Sequence, residues 1–187
     1  MISSNDLRNG VTILVDNNLW TVIEFLHVKP GKGAAFVRTR LKNVKTGTTL
    51  ERTFRAGEKL ERATVENRQL QALYNDADGY HFMDQESFEN YTIQRDLIGD
   101  VADFIKDGMV VDAQFHEGAP IGVELPPHVE LRIVETDPGF KGDTATNTTK
   151  PAKLETGATV QVPLFVNPDE VIRIDTRDRR YVGRVSG

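Results

Sequence analysis

The 187-residue chain predicts a mainly β protein, built as small barrels or sandwiches, with one short helix near its middle. Three observations carry that expectation. Apolar and polar residues alternate with period two in short windows. Turn residues recur at short intervals along the chain. A single window has the spacing of an amphipathic helix.

The elements follow in order. Val11 to Val15 is an apolar, β-branched run, closed by the turn signal Asp16-Asn17-Asn18. Leu19 to Val28 resumes with Trp20, Val22, Ile23, Phe25 and Leu26, which completes a strand–turn–strand unit. After Lys29-Pro30-Gly31-Lys32-Gly33, the residues Ala35, Val37, Thr39 and Leu41 alternate with Phe36, Arg38, Arg40 and Lys42. Lys45-Thr46-Gly47 is a turn, and Thr48 to Phe54 a further strand. Turn signals continue at Asp78-Gly79, Glu117-Gly118, Pro138-Gly139, Thr156-Gly157 and Asn167-Pro168. Leu97, Ile98, Val101, Phe104 and Ile105 form a helical stripe, stopped by Gly108, and predict about three turns of helix. Asp96, Asp100, Asp103 and Asp107 lie opposite that stripe as a solvated edge. Gly142 to Lys153, rich in Thr, Asn, Ala and Lys, reads as an exposed loop. Domain boundaries are expected near Thr64-Val65 and at Pro126-Pro127, where paired prolines limit strand pairing. They give segments 1–64, 65–126 and 127–187.

Composition excludes several classes of chemistry. Hydrophobic residues make up 39% and charged residues 27%, an ordinary globular balance. With no cysteine there is no disulfide framework, thiolate nucleophile or cysteine-held metal. Met1 to Gly10 is polar, so no secretory signal is expected, and no apolar run is long enough for a membrane span. Gly31-Lys32-Gly33 lacks the flanking Gly and Ser/Thr of a phosphate-binding Walker loop. His27, His81, His116 and His128 are scattered without metal-ligand spacing. Asp76, Asp78 and Gly79 resemble the start of a calcium loop, but Tyr80 and Phe82 cannot complete it. No nucleophile motif is present, and the chain is not expected to be an enzyme.

The charge is uneven. The net charge is −5, yet residues 1–64 hold 11 basic against 6 acidic side chains, residues 65–126 hold 3 against 13, and residues 127–187 hold 9 against 9. Between His27 and Lys45 there are six cations (Lys29, Lys32, Arg38, Arg40, Lys42, Lys45) and no acid. Such a segment is either a solvated face or a phosphate-contact surface. The face that carries Asp96, Asp100, Asp103 and Asp107, which gives the middle segment much of its negative charge, would be repelled by RNA and should point away from it.

Lys29-Pro30-Gly31-Lys32-Gly33 lies between two strands and should form a hairpin tip. Pro30 stiffens its entry, and Gly31 and Gly33 permit positive φ and remove bulk on both sides of Lys32. The result would be a slender finger with one cation at its end.

His27 to Arg38 resembles the modification loop of the bacterial elongation factor P family. The likeness continues, in order, through Phe54 to Lys59, Gly122 to Pro126, Glu135 to Ala145, Val162 to Val166 and Ile174 to Arg177. The resemblance implies three β-barrels, the first SH3-like and the other two OB-like, in an L-shaped, tRNA-like arrangement. It implies a cytoplasmic factor that binds both ribosomal subunits between the peptidyl-tRNA and exit sites and relieves stalling at consecutive prolines. Lys32 matches the modified tip position, with Lys29, Pro30, Gly31 and Gly33 as its loop; the eukaryotic relative carries hypusine there. A separate enzyme would attach any such group, and no other cofactor and no membrane is implied. Arg38, Arg40, Lys42 and Lys45 would grip RNA phosphates. Gly142, Asp143 and Thr144 match residues that face messenger RNA near the exit site. Arg177, Arg179, Arg180 and Arg184 would meet small-subunit RNA, although Asp175 and Asp178 offer them hairpin partners. The alternative is a paralogue acting as a protein- or RNA-binding scaffold off the ribosome.

Overall fold

A computed structural model describes residues 1–139 and 148–185. Sixteen strands account for most of the described structure. β1 (Ile2–Ser3), β2 (Thr12–Val15), β3 (Asn18–Val28), β4 (Phe36–Asn43), β5 (Thr49–Arg55) and β6 (Lys59–Ala63) form one sheet in the order β1-β6-β2-β3-β4-β5. β7 (Glu66–Asp76), β8 (Gly79–Asp84), β9 (Asn90–Ile93), β10 (Val110–His116) and β11 (Ala119–Glu124) form a second, ordered β11-β10-β7-β8-β9. β12 (His128–Thr136), β13 (Thr149–Leu154), β14 (Thr159–Pro163), β15 (Val171–Asp175) and β16 (Arg180–Arg184) form a third, ordered β14-β13-β12-β15-β16. By compactness the chain divides into one unit of residues 1–67 with 114–122 and another of 68–113 with 123–187. Among the described residues, no helix is long and apolar enough to cross a membrane.

The expected β architecture is what forms, and its local causes are legible. Asp16 and Asn17 sit at φ 50° and 60°, the type I′ geometry that matches strand twist in a two-residue hairpin. Glu117 and Gly118 repeat the device between β10 and β11 at φ 51° and 78°. Along β4 the inward set Val37, Thr39, Leu41 and Asn43 is buried and Arg38, Arg40 and Lys42 are exposed, as period two requires. Leu7, Ile13, Val15, Val22, Leu41, Phe54 and Leu60 close the core of the first sheet. Each such side chain, fully buried, stabilises the fold by about 1.5–3 kcal/mol.

Two expectations change. The predicted three-turn helix is a single turn, α1 (Arg95–Ile98), followed by a 3₁₀ turn over Asp100–Phe104. Gly99 breaks it at φ 84° and ψ −158°, a conformation open essentially to glycine alone. Ile98, Ala102, Phe104 and Ile105 are still buried, so the apolar stripe is satisfied without a continuous helix. Asp103 is half-buried and takes part in ion pairs with Arg95 (2.5 Å) and Arg179 (3.7 Å), so it does not belong to a plain solvated edge. The second change is in Gly142 to Lys153, where Thr149–Leu154 is strand β13 and not loop. Its alternation is hidden in sequence by Lys150, whose residue is only 6% exposed and whose ammonium donates to the Asp137 carbonyl at 2.6 Å.

Candidate nucleic-acid interface

β3 and β4 make the longest hairpin in the first sheet. They are paired from Trp20↔Asn43 out to Val28↔Phe36. The 11 residues of β3 span about 35 Å at strand rise. β5 supports β4 through the full register from Lys42↔Thr49 to Phe36↔Arg55, and the Ala56 amide donates to the Ala35 carbonyl at 3.0 Å. Val37 and Phe54 are buried and face each other across this ladder just below the tip. On the other flank, the rings of Phe25 and His27 meet edge to face at 5.7 Å, and the Arg8 guanidinium lies 5.4 Å over Phe25. The stem is therefore braced up to the point where the loop leaves it.

The loop itself is exposed from Lys29 to Ala34. Of its two glycines only Gly33 uses positive φ, at 107°, with the Pro30 ring 3.9 Å from where a Cβ would stand. Gly31 has no such need, and a Cβ there would meet nothing within 4 Å. Among the described residues, neither Lys29 nor Lys32 has an ion-pair partner. The Lys32 ammonium is thus a free charge on a narrow, stiffly mounted tip.

Arg38, Arg40 and Lys42 project from one face of β4. The registers set Arg38 between Leu26 and Thr53, Arg40 between Glu24 and Glu51, and Lys42 between Thr21 and Thr49. Arg40 is 3.6 Å from Glu24, so the central cation is offset by a carboxylate of β3, and its register partner on β5 is also acidic, Glu51. Arg38 and Lys42 have no ion-pair partner among the described residues. Lys42 also lines an open polar cleft of about 660 Å³ with Thr12, Thr21, Arg62 and Asn67. Lys45 lies in the following turn, where the buried Asn43 side chain accepts from the amides of Lys45 and Thr46, both at 2.9 Å.

Leu26 is also part of this face, which its place in an apolar run does not signal. It is 58% exposed and sits directly opposite Arg38. A register shift between Val22 and Glu24 moves the inward positions of β3 by one, so Phe25 turns partly in and Leu26 turns out. The run of apolar residues gave no sign of that shift.

The C-terminal arginines are differently placed. Arg177 grips Asp175 through its side chain (2.9 and 3.3 Å) and its backbone amide (2.9 Å). These donors hold the Asp175 carboxyl far below the usual carboxylate range, the side-chain bonds contributing most. Arg179 lies 5.2 Å over the Phe104 ring and pairs with Asp103. Arg184 lies 5.0 Å over the Phe165 ring and 3.5 Å from Glu170. Arg180 is exposed at the start of β16 with no ion-pair partner among the described residues. Gly142, Asp143 and Thr144 lie outside the described residues.

The family comparisons cover the chain end to end. Residues 3–60 match the elongation factor P (EF-P) KOW-like domain, residues 65–123 the elongation factor P (EF-P) OB domain, and residues 129–184 the elongation factor P C-terminal domain. Elongation factor P of Moorella thermoacetica is 56% identical over 98% of this chain and 100% of its own length. The proteins of that name from Symbiobacterium thermophilum and Natranaerobius thermophilus are 58% and 54% identical, over 98% and 100% of this chain and the whole of each relative. Among solved structures, eukaryotic translation initiation factor 5A from Methanococcus jannaschii aligns with a TM-score of 0.52 at 20% identity, over 64% of this chain and 88% of that one. An eIF-5A family protein from Naegleria fowleri gives 0.53 at 13% identity, over 66% and 96%. At that identity the likeness is one of fold.

Proposed function

Since the chain belongs to the elongation factor P family of translation elongation factors, we propose that it binds the ribosome between the peptidyl-tRNA and exit sites and speeds peptide-bond formation at consecutive prolines. The single observation that carries the reading is the Lys32 tip: an unpaired cation on a braced hairpin, with nothing beside it to take up its charge. Proline is a poor nucleophile, and its ring restricts the nascent chain, so reactive geometry is rarely reached. A cation held beside the CCA end of peptidyl-tRNA would hold that end in place, and orientation of two reactants supplies several kcal/mol of a barrier. The ribosome performs the chemistry; this protein contributes position.

Arg38, Lys42 and Lys45 act as phosphate contacts that set register and read no sequence. Gly142, Asp143 and Thr144 face messenger RNA, and Arg180 is the C-terminal cation most available to small-subunit RNA. Lys32 is the residue a separate enzyme would extend, and an intact mass of native protein above the sequence mass would support that. Three domains, 1–64, 65–126 and 127–187, are favoured by the gaps between β6 and β7 and between β11 and β12, which fall at the two expected boundaries.

The test is synthesis of a triple-proline peptide on purified ribosomes beside a proline-free control. Wild type should accelerate only the proline message. Lys32→Ala should lose about tenfold of that acceleration, the ~1.4 kcal/mol of one charge-assisted hydrogen bond. Equal stimulation by Lys32→Ala would remove the tip from the mechanism.

A further inference from the structure

Phe88 stands in the β8–β9 connection with 70% of its surface open to water. Its φ is 61°, a left-handed value that glycine or asparagine adopts readily and a bulky aromatic residue almost never does. The connection is tightly built. Asp84, 3% exposed, accepts from the amides of Glu86 (2.8 Å) and Ser87 (3.0 Å) through its carboxylate and from the Phe88 amide (3.0 Å) through its carbonyl. Its own amide donates to the Glu89 carbonyl at 2.8 Å, and the Gln85 amide donates to the Gln69 carbonyl at 3.0 Å. The loop thus holds an aromatic side chain out into solvent in a conformation its residue type disfavours. Folding gains little from that, because most of the residue is open to water. Such outliers persist where the side chain has a task outside the fold.

The surroundings indicate the partner. Glu86 and Glu89 are exposed on the same loop, and residues 65–126 carry 13 acidic against 3 basic side chains. That field repels nucleic acid and favours a positively charged surface. We propose that Phe88 is a docking residue that inserts into an apolar pocket, rimmed by Lys and Arg, on a basic ribosomal protein. The proposal rests on the ribosome-binding reading above, and gives the acidic segment a protein contact distinct from the RNA contacts of the cationic hairpin. An aromatic anchor in a desolvated pocket inside a polar rim is the usual form of an interface hot spot.

The experiment measures ribosome affinity and thermal unfolding of the full chain for wild type, Phe88→Gly and Glu86→Lys. Phe88→Gly should weaken ribosome binding by about tenfold, the loss of one buried aromatic anchor, while its Tm stays equal to or above that of wild type because the strained φ is relieved. Glu86→Lys should weaken binding as well, since it opposes a basic partner; contact with RNA would instead be strengthened by it. Unchanged affinity of Phe88→Gly, a lowered Tm, or unchanged or tighter binding of Glu86→Lys overturns the proposal and leaves ribosome binding intact. Absence of wild-type binding removes the ribosome reading itself, and this proposal with it.

Discussion

Arg40 shows how a neighbour decides what a charged residue does. It is one of six cations in a segment without an acid, yet Glu24 and Glu51 flank it from adjacent strands. Arg38, one position pair away, faces Leu26 and Thr53 instead. Exposed ion pairs contribute little to stability, about 0–1 kcal/mol, but they cancel field. Arg38→Ala should therefore weaken ribosome binding and lower its salt slope by about one phosphate contact, whereas Arg40→Ala should change both less. Glu24→Gln should tighten binding; a titration of affinity against salt tests all three. The two loop glycines separate in the same way. Gly33→Ala forces a side chain to φ 107° and should impair proline-message stimulation while shifting the midpoint of unfolding little, because the tip touches no core. Gly31→Ala meets open space and should leave stimulation near wild type. Matching losses for the two variants would show that flexibility, and not the shape set at Gly33, is what the loop needs.

At the scale of an element, the 95–104 segment separates two readings of one pattern. A continuous helix through Leu97 and Ile105 would be stabilised by about 1 kcal/mol on replacing Gly99 with alanine. The observed break at φ 84° and ψ −158° predicts the opposite sign, a loss of about 1–3 kcal/mol in chemical denaturation. The apolar spacing survives because α1 and the 3₁₀ turn each bury their inward residues, Ile98 in the first and Ala102 and Phe104 in the second. The β3–β4 hairpin shows a comparable effect. Its alternation in β4 was plain from sequence, whereas the shift in β3 that exposes Leu26 depends on how two strands pair.

Across the whole molecule, acid sensitivity follows from a few carboxylates. Asp84 is held below the usual carboxylate range chiefly by the Ser87 amide and then by Glu86's. Asp175 is held lower still by Arg177. A depressed pKa in the folded state contributes stability that is present above the unfolded value and lost as pH falls through the folded one. Stability should therefore decline from about pH 4 downward. An Asp84→Asn, Asp175→Asn double variant should show a shallower decline than wild type in that window, read by denaturant unfolding at each pH. A parallel decline would mean that other carboxylates dominate.

Much of this protein was determined by its sequence alone. Period two placed the strands, paired asparagine and glycine signals placed the turns, and the ordered motif blocks placed it in its family and singled out Lys32. Those features are local: they depend on residues a few positions apart, so spacing reveals them. The tertiary structure decided the rest. It brought Glu24 and Glu51 to Arg40, turned Leu26 outward, bound three of the four C-terminal arginines into intramolecular pairs and hid Lys150 in a strand that reads as loop. It also left Phe88 in water at a left-handed φ. Each of these depends on which strands pair and in what register, and on the backbone angle a turn imposes. Pairing partners distant along the chain leave no mark in local hydrophobic periodicity.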